Sequence, residues 1–116
     1  MAIIYKTLKD PAYISDSAGA IVTCPSAKVD YLKTIVLHNT DTAAITVTLY
    51  KVKNSTGSVG TASAANQIFK RSIDADETFI LHFPEQGVLL EEENDTLQAV
   101  AGTASKVVID VEGGEE

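Results

Sequence analysis

Residues 44–50 read AITVTLY, and this alternation decides the fold. Ile45, Val47 and Leu49 lie on one side of an extended chain, because successive side chains of a β-strand point to opposite faces of the sheet. The threonines between them lie on the other side. This pattern is typical of a strand with one buried face and one face toward water. The sequence therefore predicts a strand over residues 44–52.

Similar segments recur along the chain, separated by turn residues. Residues 31–39 and 44–52 are predicted to form a hairpin through the polar turn at 39–42. Further strands, or short apolar strand segments, are predicted at residues 20–24, 67–73, 78–83, 87–90, 96–101 and 106–112. The sequence shows no amphipathic helix of ten or more residues. This pattern predicts an all-β fold, an antiparallel β-sandwich of either immunoglobulin-like or jelly-roll type with an N-terminal arm.

The length of 116 residues suits one domain. We predict an N-terminal arm at residues 1–19 and a β-sandwich domain at residues 20–116. Pro11 is expected to interrupt regular structure in the arm, because it has no N–H to donate to a ladder. Residues 54–66, rich in Ser, Gly, Thr and Ala, are predicted to be a long exposed loop, and residues 113–116 a frayed tail.

The chain is acidic, with a net charge of −7. Residues 1–71 hold eight basic and four acidic side chains, whereas residues 72–116 hold one basic and twelve acidic ones. A negative protein is a poor ligand for nucleic acid, so we expect no nucleic-acid partner. No segment reaches the ~20 apolar residues of a membrane span, and no signal-peptide pattern is found, so we expect no membrane association or secretion.

Residue types that carry chemistry are present but lack the spacing of a known site. Cys24 is the only cysteine and is expected to be a small buried side chain. His38 and His82 lie on predicted strands without a nucleophile motif and are expected to bond locally. The acidic run at residues 91–95 does not match a calcium loop and indicates a solvated turn, although cation binding there stays open. We predict no enzyme, no catalytic residue, no metal and no cofactor.

The order of several short phrases resembles a known group of proteins. The segment from Tyr31 to Glu112 resembles small structural proteins of tailed bacteriophages, which are capsid decoration (cement) or tail-associated proteins. The resemblance lies in residues 35–40 (IVLHNT), 46–50 (TVTLY), 66–68 (NQI), 75–78 (ADET), 89–91 (LLE), 95–99 (DTLQA) and 101–105 (AGTAS). Asn94 departs from the glycine that usually precedes the aspartate in these proteins, but asparagine also tolerates a positive φ.

The resemblance implies a non-enzymatic role in the virion, assembled in the host cytoplasm. The leading expectation is capsid decoration, in which the protein binds the major capsid protein or another virion protein and also itself, with a trimer favoured. A head–tail connector, tail or fibre component is an alternative, and so is a host-surface or carbohydrate-binding module. The candidate protein-contact residues are on the arm and the long loop: Ile3, Ile4, Tyr5, Leu8, Ser58 and Val59.

Overall fold

The computed structural model, which describes residues 2–116, confirms the all-β sandwich. Its helical structure is confined, within those residues, to one turn of 3-10 helix at Ala64–Asn66. Nine strands follow one another along the chain: β1 (Ile4–Tyr13), β2 (Gly19–Thr23), β3 (Asp30–Asn39), β4 (Ile45–Val52), β5 (Gln67–Ile73), β6 (Thr78–His82), β7 (Val88–Leu90), β8 (Thr96–Ala101) and β9 (Val107–Glu115). Strands β2 to β8 lie within two residues of the segments predicted from the alternation of apolar residues.

The strand order distinguishes the two topologies that the sequence left open. One sheet, sheet A, has the order β1-β9-β3-β6, with β7 also paired to β3, and the other, sheet B, has the order β2-β8-β4-β5. All strand pairings are antiparallel, and five of them are nested: β1 with β9, β2 with β8, β3 with β6 and β7, and β4 with β5. The pairings of β3 with β9 and of β4 with β8 join these nested pairs into the two sheets. A long hairpin wrapped into two sheets has this order. The domain is therefore a jelly roll.

The core lies between the two sheets and comes from the inward residues of both. Ile35 and Leu37 of β3 and Val47 and Leu49 of β4 are completely buried, as is Ile109 of β9. The buried apolar residues form one continuous cluster. Burial of this cluster is the main source of stability for a domain whose described residues contain no disulfide.

The predicted hairpin between residues 31–39 and 44–52 is wrong, because β3 and β4 belong to different sheets. Asn39 explains the crossing. Its buried side-chain amide donates to the carbonyls of Ala43 and Ile73 at 2.9 Å each, and its oxygen accepts from the Asp41 amide. The asparagine thus satisfies the backbone of a corner between the sheets, where a tight hairpin would have left both strands in one sheet.

The segment predicted to be an arm, residues 1–19, is for the most part a strand of sheet A. β1 pairs along β9, and Ile14, directly after it, is buried in the core. Pro11 does not end the strand, because it lies in a register shift between Lys9 and Ala12 of an edge strand, where a missing N–H breaks no ladder.

The predicted frayed tail is also different in the structure. β9 continues to Glu115, and the backbone of Glu116 exchanges two hydrogen bonds with Val29. Gly113 permits this, because a Cβ at that position would collide with the carbonyl oxygen of Tyr31 on β3. Gly113 thus allows β3 to come close where its ladder shifts register, whereas a Cβ at Gly114 would meet the side chain of Ile3.

A pair of substitutions on β4 tests the inward register. Val47→Asp should prevent folding, because an unpaired carboxylate in the core costs several kcal/mol, which is comparable to the whole stability of a small domain. Circular dichroism and thermal melting check this result. Thr48, which the alternation places on the outer face, is itself buried. Exposed Thr46 is therefore the better control. Equal damage from Thr46→Asp would contradict the register.

Candidate protein-contact site

Three of the candidate contact residues lie together at the start of edge strand β1. Ile4 is 68% exposed and Tyr5 is 78% exposed, and Ile3, which precedes the strand, lies over Gly114 of β9. Large apolar side chains at this level of exposure are uncommon on a strand that could turn them inward. These three exposed apolar residues are consecutive at one end of the edge strand, with Ile4 facing the opposite side of the sheet from Ile3 and Tyr5, and we call them the β1 patch.

Leu8 does not belong to the β1 patch. Its side chain is partly buried and packs against the core, close to Gly113. The register of β1 against β9 shifts between Thr7 and Lys9, at Leu8 itself. The core of its own sandwich partly covers Leu8, and a role for Leu8 in contacts with another protein stays a prediction.

Ser58 and Val59 lie on the loop between β4 and β5, as predicted. Val59 is 47% exposed, and Ser58 forms a small two-residue bridge with Ser55. The loop is long but it is tied down. The Asn94 side chain donates to the Gly57 carbonyl at 2.7 Å, and the Gln98 side chain donates to the Gly60 carbonyl at 3.0 Å. Val59 is therefore presented by a loop with fixed anchor points.

Asp95 is the main anchor of this loop. It is fully buried, and its Oδ1 accepts from the backbone N–H and the side-chain amide of Asn54 at 2.8 and 3.0 Å. Its Oδ2 accepts from Lys53 Nζ at 2.8 Å and from the amides of Glu91 and Glu92. These five donors occupy the lone pairs of both carboxylate oxygens of Asp95. Asp95 joins the start of the β4–β5 loop to the turn before β8.

These donors also determine the ionisation of Asp95. Burial alone raises the pKa of this carboxyl group. The hydrogen bonds from Lys53, Asn54 and Glu92 outweigh burial and hold the pKa of Asp95 well below its usual range. With its oxygens already bonded, Asp95 does not offer a cation a ligand, and among the described residues no group of three or more His, Cys, Asp or Glu side chains is placed to hold a metal ion.

The β1 patch and the loop lie at the same end of the sandwich. Ile4 is paired with Glu115, which is also paired with Asp30 at the start of β3. Leu90, the last residue of β7, pairs with Asp30 as well and leads into the acidic turn that holds the loop. Contact residues more than fifty positions apart in the sequence thus come to one end of the molecule, a placement that the sequence alone did not predict.

The charge asymmetry of the sequence does not become a charge asymmetry of the fold. Strands β1 to β5 come from the basic part of the chain, and strands β6 to β9 come from the acidic part. Nested pairing places strands of both origins in each sheet. Lys6 of β1 pairs with Glu115 of β9 at 3.4 Å, and Thr7 donates to Glu112 at 2.8 Å. The two halves therefore offer no simple positive and negative faces for docking.

Two adjoining depressions lie beside Tyr5 on the outer face of sheet A. Their volumes are about 490 and 190 Å³, and both are lined by Tyr5 and Lys33. Tyr31 and Gln86 line the smaller one. Tyr5 of β1 and Tyr31 of β3 are the ladder partners of Gly114 on its two sides. Because Gly114 has no side chain, a space lies between the two aromatic rings, and Ile3 partly fills this space.

The remaining chemistry-bearing residues are placed as expected. Cys24 is buried, its thiol donates to the carbonyls of Lys28 and Leu90, and burial is the main cause that raises its pKa to about 11. His38 Nδ1 lies 2.8 Å from the hydroxyl of Thr78, and His82 bonds a threonine of β3 in the same way. The interpretations of Cys24 as a core residue and of the histidines as locally bonded are confirmed.

Compared with known proteins, the chain matches no family model and no curated sequence. Within residues 2–116, no helix has the length and apolar character needed to cross a membrane.

Replacing the loop anchor tests its structural importance. Asp95→Asn should lower the free energy of unfolding at pH 7 by about 2–4 kcal/mol, because an amide group would meet Lys53 and two backbone N–H groups that now share a charged acceptor. Urea denaturation measures the change. Glu93→Gln, an exposed change in the same turn, is the control and should alter stability by less than about 0.5 kcal/mol.

The depressed pKa of Asp95 also predicts how the stability difference between the wild type and Asp95→Asn depends on pH. Because the folded-state pKa of Asp95 is depressed, its contribution is complete above the ordinary aspartate pKa of about 4 and is lost as the pH falls below that value. The stability difference between the wild type and Asp95→Asn should therefore shrink from pH 7 to pH 3. A difference that stays constant over this range would contradict the network around Asp95.

Proposed function

We propose that this protein is a structural protein of a tailed-bacteriophage virion, most specifically a capsid decoration protein that stabilises the head through protein–protein contacts. The observation that carries the proposal is that the β1 patch and the anchored loop lie at the same end of the sandwich. Ile4, Tyr5 and Val59 are exposed there on two segments that the fold holds in position. The order of short phrases, which resembles that of phage structural proteins, favours the same role.

The partner is the major capsid protein or another virion protein. Covering Ile4 and Tyr5 would contribute about 1–2 kcal/mol for each side chain, which is modest for a single site. A shell repeats its binding site many times, and self-association of the protein, with a trimer favoured, links several such contacts into one tighter attachment. Assembly takes place in the host cytoplasm.

The edge strand β1 favours docking through side-chain contacts over docking by a partner strand that pairs along all of β1. The second half of β1 carries Lys9, Pro11 and two register shifts, which are features that prevent a foreign strand from pairing with an edge. The first residues of β1 lack these features. The docking interface therefore centres on the β1 patch.

One observation favours the alternative of a host-surface or carbohydrate-binding module. The outer-face depressions combine Tyr5 and Tyr31 with the polar side chains of Lys33 and Gln86, and aromatic faces with a few polar groups suit a small polar ligand. A connector, tail or fibre role would use the same β1 patch against a different virion protein.

A double substitution tests the docking interface. The variant Ile4→Thr with Tyr5→Thr removes apolar area but keeps β-forming residues on an exposed edge, so it should fold normally. It should lose at least about tenfold in affinity for purified tailless heads of the phage that encodes the protein, as measured by co-sedimentation. The matched control is Tyr13→Thr with Ile80→Thr, which removes two other exposed apolar side chains of sheet A and should bind as the wild type does.

The distribution of the protein among virion fractions separates the rival roles. Recovery with intact particles and binding to tailless heads are expected for decoration. Recovery only in neck or tail fractions would move the assignment to a connector or fibre component. Absence from all particles would reject the virion proposal and favour the host-surface module, for which glycan binding lost in Tyr31→Ala would be the supporting result.

A further inference from the structure

Asp30, the first residue of β3, is a buried carboxyl group with an incomplete set of partners. It is 1% exposed, and its Oδ1 is the one buried side-chain oxygen or nitrogen among residues 2–116 that lacks a hydrogen-bond partner. A buried carboxylate with an unsatisfied oxygen costs several kcal/mol. Such a group is stable only if it binds a proton or finds a compensating charge.

The group that meets Asp30 is another carboxyl group. Glu115 of β9 is its direct partner in the β3–β9 ladder, so both side chains lie on the same face at neighbouring positions. Two carboxyl groups in hydrogen-bond range share one proton more readily than they carry two charges. Burial, the hydrogen bond to Glu115 and the negative charge of Glu115 together raise the pKa of Asp30 to about 7.

The other groups around the pair assign the proton to Asp30. Lys6 of β1 lies 3.4 Å from Glu115, and the hydrogen bond from Asp30, aided by Lys6 and Lys28, lowers the pKa of Glu115. Cys24, which faces Asp30 from the segment after β2, is a neutral thiol because its pKa is raised. In this arrangement Asp30 is protonated and neutral, and its carboxyl O–H donates a hydrogen bond to the charged carboxylate of Glu115.

The nearby uncharged and already paired groups leave this arrangement unchanged. Leu90, the partner of Asp30 on β7, carries no charge. The Glu116 carboxylate accepts the hydroxyl of Tyr31 at 2.8 Å and is therefore occupied, while the Asp95 carboxylate, which acts on Cys24, is held by its own donors. The charge of Lys6 lowers the pKa of Asp30, but burial and Glu115 outweigh it, so the proton stays on Asp30.

We propose that Asp30 and Glu115 form a carboxyl latch whose shared proton holds the ends of β1 and β9 against β3, and that losing this proton as the pH rises toward neutrality loosens both ends. Glu115 pairs with Asp30 on one side and with Ile4 on the other, so the latch acts on the β1 patch. The latch exists in the isolated chain and is independent of the proposed role in a virion.

The direction of the effect follows from the raised pKa of Asp30. The closed state binds the proton up to about pH 7, whereas an open state with ordinary carboxyl groups releases it near pH 4. As the pH rises from about 4 to about 7, closure therefore weakens by up to tenfold per pH unit, and above pH 7 it changes no further. Below about pH 4 closure weakens as well, because Glu115, whose pKa is lowered in the closed state, then takes up a proton.

Hydrogen exchange measured by NMR on the full chain tests the latch. Protection factors, corrected for the intrinsic exchange rate at each pH, are compared between pH 5 and pH 8. In the wild type, amides of residues 4–7 and 112–115 should lose up to about tenfold protection per pH unit from pH 5 to pH 7 and then level off. In Asp30→Asn this slope should disappear, because the amide keeps a donor for Glu115 and has no proton to lose.

Two further variants complete the design. Asp76→Asn makes the same chemical change in an exposed turn and should keep the wild-type slope. Glu115→Gln also removes the charge conflict and should abolish the slope, so it replaces Asp30→Asn if that variant does not fold.

Three hydrogen-exchange results would overturn the latch. The first is a wild-type profile that is flat between pH 5 and pH 7. The second is an Asp30→Asn profile with the wild-type slope. The third is an equal slope in the amides of β4 and β8, which would mean that the whole domain responds and the strand ends do not open on their own. A carbon-13 titration of the Asp30 carboxyl group with a midpoint near pH 4 would also reject the proposal. None of these results bears on binding to phage heads.

Discussion

The structure depends on the insertion of β9 between β1 and β3. In this position β9 pairs on both sides, and all of sheet A forms around it. Its inward residues Val107, Ile109 and Val111 are completely buried against the core. Gly113 then lets β3 approach closely at a register shift, which extends the pairing to the end of the strand. The exposed start of β1 has a fixed place only because β9 lies beside it.

Two buried carboxyl groups at the same end of the sandwich are stabilised in opposite ways. Asp95 is surrounded by N–H groups and Lys53, and it is held in its charged form. Asp30 faces a second carboxyl group, and its charged form is disfavoured. The first anchors a loop over a wide pH range above its ordinary pKa, and the second makes the neighbouring strand ends sensitive to pH. The hydrogen-bond donors around each group, and not its burial alone, decide between these outcomes.

Local alternation predicted most strands, but it could not predict their partners. The segments that became β2 to β8 were found because each strand turns one apolar face inward, as Val47 and Leu49 do. The pairing of β1 with β9 joins residues about a hundred positions apart, and no local pattern encodes it. From the sequence alone, Pro11 indicates a break and Gly113 a loose end. Both are tolerated within strands because Pro11 lies on an edge strand and Gly113 lies at a register shift. The sequence does not show the neighbouring strands that create these two positions.

The candidate site was predicted in part for the same reason. Exposed Ile4, Tyr5 and Val59 could be proposed from composition and position, whereas the sequence did not show that Leu8 is partly buried against the core. Asp95 was read as one member of an acidic run. The available signal was its position directly before a buried strand, with Asn94 at a φ of 68° as the turn requires. Its donors Lys53 and Asn54 lie some forty residues away, so only the fold reveals the anchor.

The central position of β9 has a consequence for synthesis on the ribosome. Until residues 107–115 have been made, β3 has no partner on its β9 side and β1 has no partner in sheet A. The apolar faces of the earlier strands must wait for a segment that emerges late, and such long-range closure is intrinsically slow. During that interval the nascent chain exposes strand edges that attract other chains. Sheet A of this jelly roll therefore cannot close before β9 has left the ribosome, and until then the earlier strands must be kept from pairing with other chains.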